Sequence, residues 1–337
     1  MKWYCDKSAS EGVVLSSRVR LARNLADYPF PQKCDAKTRK VIAEKVKETF
    51  EKYGNERYTY LDMASLSPLN RKVLLEDHAI SPEFCAADGE GRMLIADEKN
   101  ELYIMVGEED HVRIQSLAPG LMLEEAYARA KSADRALGEG LRLAFDEEFG
   151  YLTACPTNLG TAMRASCMLH LPALTACGRI KALVALMTKI GLTVRGLYGE
   201  GSDADGCVYQ ISNQVTLGIS EEDAVEKLKN AVIGVVEREN ALRESLRDGG
   251  GLDFEDSIWR SYGILKCARK LSYPELLKLW SDVMLGARCG FLHDIAGVNL
   301  VRILIETMPA HLRAKFPELQ GEAALDAKRA EILREAL

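Results

Sequence analysis

The sequence predicts an α+β fold: an antiparallel β-sheet flanked by helices, followed by a small all-α domain. Three observations carry this. Residues 92–117 read as a meander of three strands, Met93–Ala96, Glu101–Val106 and His111–Leu117, with polar turns between them. The helical patterns are grouped apart from that meander, as expected when helices back an antiparallel sheet. Three consecutive glycines, Gly249 to Gly251, cost too much backbone entropy for a helix interior, and nearly everything after them has helical periodicity.

Taken in order, Lys37–Tyr53 carries Val41, Ile42, Val46, Phe50 and Tyr53 at close to helical spacing, and Asn70–His78 reads as a short helix. After the meander, Glu124–Phe145 is rich in Ala, Leu, Glu and Arg and predicts a long helix. Leu192–Tyr198 and Cys207–Ser212 predict two more strands. Ser220-Glu221-Glu222-Asp223 has a capping serine and acids in a first turn, so a helix should run from there to about Leu246. Beyond the glycines, helices are expected near Asp256–Leu271, Tyr273–Ala287, Val298–Thr307 and Glu322–Ala336. The chain then divides into residues 1–248 and 252–337.

Composition narrows the function. The 337 residues are 47% hydrophobic and carry a formal net charge of −6, which argues against a broad nucleic-acid or membrane binder but not against a local basic pocket. The C-terminal part, Gly251–Leu337, balances 12 basic against 12 acidic residues, unlike a helix-turn-helix DNA reader. The nine cysteines are odd in number, irregularly spaced and without C-x-x-C, which points to a reducing, cytoplasmic setting. No apolar run is long enough for a membrane helix, and Met1–Ser10 has no secretory apolar core.

Neither a P-loop, a dinucleotide fingerprint, H-E-x-x-H nor G-x-S-x-G is present. Arginines in unusual company stand out instead. In an extended Ser16-Ser17-Arg18-Val19-Arg20-Leu21, Arg18 and Arg20 share one face. Two adjacent guanidiniums repel unless an anion such as a triphosphate lies between them, although a solvated sheet edge is the commoner origin of such spacing. Glu108-Glu109-Asp110-His111-Val112-Arg113 places three acids in a turn before a strand whose Val112 and Ile114 face a core. In Cys155-Pro156-Thr157-Asn158-Leu159-Gly160-Thr161-Ala162-Met163-Arg164-Ala165-Ser166, the Thr/Asn/Gly group before an Ala/Met/Leu run reads as a loop opening onto a helix, an anion-favouring arrangement. Cys155 reads equally as a reactive thiol or a buried structural cysteine. Arg195-Gly196-Leu197-Tyr198-Gly199-Glu200-Gly201 reads as a ligand-closing loop or a glycine-rich hairpin.

Each motif alone is weak, but the four in this order resemble the ATP:guanidino phosphotransferase (phosphagen kinase) family over roughly Val13–Leu246, about two thirds of the chain. Within it, the sequence is most similar to the protein-arginine kinase branch. The phosphate motif begins at Ser16, leaving no room for the N-terminal helical domain of the metabolite kinases. Helices follow at the C-terminal end, and Met168 and Tyr198 stand where the metabolite kinases usually carry His and Arg.

The resemblance implies an ATP- and Mg²⁺-dependent kinase acting on arginine side chains in proteins. The alternatives are a kinase for a free guanidino metabolite and an inactive scaffold that recognises phosphoarginine. It implies that nucleotide is held by Ser16, Ser17, Arg18, Val19 and Arg20, by His78, by Arg113, by Arg164, Ala165, Ser166, Cys167 and Met168, and by Arg195. Glu109 and Glu200 would grip the substrate guanidinium, Glu109 as base and Glu200 as orienter, with Cys155 beside the cation. Free proton transfer from arginine to a glutamate is uphill by roughly 11 kcal/mol, so proton loss must accompany bond formation to phosphorus. The family's phosphoarginine-docking motif has an arginine where this chain has Leu325; Asp326 and Arg329 match it, so docking there should be weaker or absent. Further implied are stress-response roles involving a zinc-binding activator, a heat-shock repressor and an AAA+ protease, and a homo-oligomer.

Overall fold

In the computed structural model, residues 2–196 and 204–337 are described. Among the described residues ten strands form: β1 (Val14–Arg23), β2 (Tyr58–Asp62), β3 (Met93–Asp97), β4 (Leu102–Val106), β5 (Val112–Pro119), β6 (Phe145–Asp146), β7 (Gly150–Tyr151), β8 (Met163–His170), β9 (Leu192–Gly196) and β10 (Val208–Asn213). Eight of them make one sheet in the order β2-β3-β4-β5-β1-β8-β10-β9, while β6 and β7 form a separate antiparallel hairpin.

The expected meander is present, with antiparallel pairing from β2 through β5. Its turns have specific causes. Asp97 Oδ1 accepts from the backbone N–H groups of Glu101 and Leu102 at 2.8 and 2.9 Å, closing the β3–β4 turn. Gly107 adopts φ +83°, a left-handed conformation that a side chain would strain, and its N–H donates to the His111 carbonyl at 2.9 Å, closing the turn that holds the acids.

The chain forms two compact units. The first comprises residues 1–3, 17–166 and 212–229. Its helix Ala36–Tyr53 is capped by Asp35, which accepts from Thr38 N at 2.7 Å, and it buries Ile42, Ala43, Val46, Thr49 and Phe50. The helix Leu123–Gly140 buries Ala126, Ala130, Ala133 and Leu137 along one stripe. It is shorter than the predicted Glu124–Phe145. Gly140 lies so close to Thr49 that a Cβ would meet that side chain at 2.6 Å. Leu141 is already extended, and the following residues enter the hairpin.

The second unit comprises residues 4–16, 167–211 and 230–337. The break at the three glycines is a single bend: one helix ends at Gly249 and the next, Gly251–Cys267, starts with Gly251 at φ +66°. Helices Tyr273–Cys289, Leu300–Glu306 and Glu322–Ala336 lie where periodicity places them. Pro309–Lys315 is an additional short helix that the sequence reading missed, hidden by its length. Trp280, buried at the centre of these helices, donates from Nε1 to the Leu300 carbonyl at 2.9 Å. Gly286 lets Tyr273–Cys289 approach Ile258, whose Cγ2 would sit 2.2 Å from a Cβ there.

One local prediction is wrong. The segment after Gly160 is strand β8, not a helix, so no helix N-terminus is available there to hold an anion. Met163-Arg164-Ala165-Ser166-Cys167-Met168-Leu169-His170 is buried nearly throughout, and β8 is an interior strand between β1 and β10. A strand covered on both faces loses its alternation and reads like a buried helix.

Candidate active site

Strand alternation in β1 separates two faces. Val19 and Leu21 are fully buried, while Arg18 and Arg20 project from the other side. In the first unit these two converge with Arg113 from β5 and Arg164 from β8. The convergence is visible in their charges. Burial, followed by the nearby Arg164 and Arg113, lowers Arg18 from 12.5 to about 10. Arg20 is pushed well below its ordinary value by burial and then by Arg18, Arg113 and Arg164, with Glu108 opposing. The buried Nε of Arg20 has no hydrogen-bond partner among the described residues. Arg18 Nε lies 3.4 Å from Ser166 Oγ, and Arg164 Nη2 donates to Ser212 Oγ at 3.0 Å. A cluster of guanidiniums in a poorly solvated place destabilises itself and so favours a compact polyanion.

The acidic turn faces this cluster. Arg113 forks, donating from Nη1 to Glu108 Oε1 at 2.7 Å and from Nη2 to Glu109 Oε2 at 2.9 Å. Glu108 is nearly inaccessible and also accepts from Ser81 Oγ at 2.7 Å and from the Glu109 N–H at 2.8 Å. Glu109 remains half-exposed, open to a cation from outside.

The third acid is structural. Asp110 is fully buried, and its Oδ1 accepts from Asn24 Nδ2 at 2.6 Å and from Ala154 N at 2.7 Å. It therefore ties the segment carrying Cys155 to the turn carrying Glu109. His111 is buried behind it: Nδ1 accepts from Leu25 N at 3.0 Å, so Nε2–H donates to the Pro29 carbonyl at 2.9 Å. Cys155 is partly accessible, with its Sγ 3.1 Å from Thr157 Oγ1.

His78 joins the cluster in a strained backbone conformation, φ +62°. Its ring stacks on Trp3 with centroids 5.6 Å apart, and Gln115 Nε2 donates to its carbonyl at 2.9 Å. Burial, then the charge of Arg18, lowers His78 to about 4, so it is neutral at pH 7.

The remaining expected site residues are distributed otherwise. Ser17 points inward, donating to the Gly120 carbonyl at 2.8 Å and accepting from Met122 N at 3.0 Å. Ala165 is buried, its N–H held by Asn213 Oδ1 at 2.8 Å. Ser16, Cys167, Met168 and Arg195 belong to the second unit; Arg195 is exposed near the end of β9. Tyr198 and Glu200 lie outside the described residues. Asp326 and Arg329 are engaged within the helical region. Arg329 is buried and donates to the carbonyls of Leu271 and Thr307 at 2.7 and 3.0 Å and to Asp326 Oδ1 at 2.6 Å. Sequence reasoning missed Ser81, Glu108, Asp110, Ser212 and Asn213 as positioning groups. The adjacency of Glu108 and Asp110 to Glu109 was the only signal available for any of them.

Comparison with known proteins gives this arrangement its class. Residues 41–242 match the model of the ATP:guanido phosphotransferase C-terminal catalytic domain, and the chain belongs to that family of kinases. A duplicated taurocyamine kinase from Schistosoma mansoni, solved with bound transition-state analogue components, has a similar fold. It aligns with a TM-score of 0.63 at 27% identity, over 77% of this chain and 38% of that one. Residues 252–337 match the protein-arginine kinase McsB C-terminal domain. A protein-arginine kinase of Syntrophomonas wolfei is 43% identical over 100% of this chain and 95% of its own length. One from Clostridium kluyveri is 42% identical over 97% and 95%. Within the family, the chain is therefore of the protein-arginine kinase branch.

Proposed function

We propose that this protein transfers the γ-phosphoryl group of ATP to the guanidinium of arginine side chains in proteins. The observation that carries the reading is the part-buried cluster of Arg18, Arg20, Arg113 and Arg164 set against the half-exposed Glu109. Phosphoryl transfer needs positioning and charge stabilisation more than covalent help, and this cluster supplies both. Neutral His78 would pack against the nucleotide without adding to the repulsion among the arginines.

The Arg113 fork holds the carboxylate of Glu109 as a substrate guanidinium would. Phosphates compete for Arg113 and release Glu109 to the target arginine, with Glu200 as the second carboxylate and Cys155 beside the cation. A guanidinium nitrogen then attacks the γ-phosphorus. The P–O bond to the β-phosphate breaks with its electron pair leaving on ADP, and the departing N–H proton passes to Glu109 as the N–P bond forms. Among the described residues no group of three or more His, Cys, Asp or Glu is placed to hold a metal. Mg²⁺ carried on the nucleotide's own phosphates would neutralise charge that develops there.

Residues 1–248 would carry the chemistry, with Ser16, Cys167, Met168 and Arg195 completing the nucleotide contacts. Residues 252–337 would form the helical domain. Docking of phosphoarginine at Asp326 and Arg329 would require their internal bonds to open. A cytoplasmic stress-response setting, an oligomer, and an activator, repressor and AAA+ protease as partners belong to the same reading. Among the described residues, no helix is long and apolar enough to cross a membrane. The test is transfer of labelled γ-phosphate to unfolded casein and to free L-arginine, side by side. Acid-labile label on casein supports the reading, and label on free arginine alone overturns it.

A further inference from the structure

Two loops of the first unit that bond to residues 157–161, just after Cys155, expose four apolar side chains: Phe145 and Phe149 from the β6–β7 hairpin, and Val215 and Leu217 from the segment after β10. Each is between 44% and 59% exposed. The loops are knitted together. Gly160 N donates to the Phe149 carbonyl at 2.8 Å, and Thr161 N donates to the Thr216 carbonyl at 2.9 Å. Gly150 and Gly160 have no room for a Cβ, which would meet the Gly160 carbonyl oxygen at 2.4 Å and the Thr216 carbonyl oxygen at 2.1 Å respectively. Thr216 Oγ1 also donates to the carbonyls of Leu159 at 2.7 Å and Thr157 at 3.3 Å, fixing the patch to the segment that carries Cys155. The hairpin is anchored from below by Tyr151, over whose ring the Arg23 guanidinium lies 3.5 Å from the centroid.

The patch is also charged in one sense. Asp146, Glu147 and Glu148 form the hairpin turn between the two phenylalanines. The glutamates are exposed, while Asp146 Oδ1 caps the turn by accepting from Glu148 N and Phe149 N at 2.9 and 3.0 Å. A preformed apolar surface rimmed by acids suits a partner that is apolar and basic.

We infer that this patch docks the polypeptide flanking the target arginine, an extended chain with apolar side chains close to the arginine. The inference rests on the proposed reading that Cys155 lies beside the target guanidinium. It deepens that reading by naming the neighbours that favour a target arginine, which are apolar side chains. Selectivity then comes from the neighbours of the arginine, since the guanidinium itself is common to every candidate substrate.

The test uses the full-length enzyme and two peptides of equal length and charge, each with one arginine, one flanked by Phe and Leu and the other by Ser and Gly. The wild type should show a KM on the order of tenfold lower for the apolar peptide, about 1.4 kcal/mol of docking. Phe149→Ser/Leu217→Ser should remove that difference and leave the KM for ATP and for the Ser/Gly peptide unchanged. Phe145→Ser/Val215→Ser should do the same if the first pair folds poorly. Equal KM values for the two peptides in the wild type, or variants that weaken both peptides alike, would overturn the docking surface alone. So would variants that instead change the sedimentation coefficient, because the patch would then join copies of the chain. Phosphorylation of free L-arginine with neither peptide used would overturn the protein-substrate reading and the docking surface with it.

Discussion

Removing one guanidinium from the arginine cluster should make the ligand-free protein more stable. Arg18→Met keeps most of the apolar stem and deletes the charge. The fall of Arg18 from 12.5 to about 10 is worth roughly 3 kcal/mol at about 1.36 kcal/mol per pH unit. The sign follows from proton linkage. A base whose folded pKa lies below its unfolded value is penalised wherever it stays protonated. The penalty is therefore complete below pH 10, hence at neutrality, and is relieved only as pH rises from about 10 towards 12.5. Loss of the contact to Ser166 and residual solvation reduce the gain, leaving a net stabilisation on the order of 1–2 kcal/mol. The assay is denaturant unfolding at pH 7, with and without Mg·ATP. The wild type should gain strongly from nucleotide, by mass action on the folded state. The variant should start higher and gain little, with ATP affinity reduced by at least about tenfold, since a charge-assisted contact is worth about 1.5–3 kcal/mol. A variant that is less stable without ligand by more than about 1 kcal/mol, or one that keeps the full ATP response, would refute the idea that the cluster is destabilised for the sake of a polyanion.

Other perturbations probe separate parts of the site. Glu109→Gln should lower kcat by roughly 10²–10⁴-fold with ATP affinity retained, read by steady-state kinetics and calorimetry; an unchanged kcat removes Glu109 as base. His78 at about 4 against an ordinary 6.5 binds fewer protons folded than unfolded between those values, so stability should fall as pH drops from 6.5 to 4. An NMR titration of its ring should give a midpoint near 4, and a midpoint above 6 contradicts its burial beside Arg18. Asp110→Ala leaves Asn24 and the Ala154 N–H without their shared acceptor, and should cost about 3–5 kcal/mol in unfolding free energy. Arg329→Ala removes three buried hydrogen bonds, one of them to Asp326, and should destabilise by a similar 3–5 kcal/mol; a variant of wild-type stability would leave Arg329 free for a ligand.

The parts of this molecule that the sequence displayed are those with local periodicity or local turn chemistry. The β3–β5 meander was legible because its turns carry Asp97, Asn100 and Gly107. The alternation of Arg18 and Arg20 against Val19 and Leu21 was legible because β1 has unlike faces. Strand β8 was not, since burial on both faces erases the period. The helix at Leu123–Gly140 was overextended because the Ala-, Leu- and Glu-rich composition carries no sign of the turn to extended backbone at Leu141. In the site, the charged residues with family counterparts could be named. The groups that hold them could not: Asp110, Asn24 and Asn213 act through partners dozens of residues away in the chain.

Delivery of phosphorus from ATP to a guanidinium nitrogen of a protein can be read by ³¹P NMR of the products from Mg·ATP and unfolded casein. The γ-phosphorus should move to a phosphoramidate resonance that stays with the protein and disappears in mild acid, and Glu109→Gln should slow its appearance by roughly 10²–10⁴-fold. A γ-phosphorus recovered only as inorganic phosphate, or as an acid-stable phosphate ester on serine or threonine, would contradict the account.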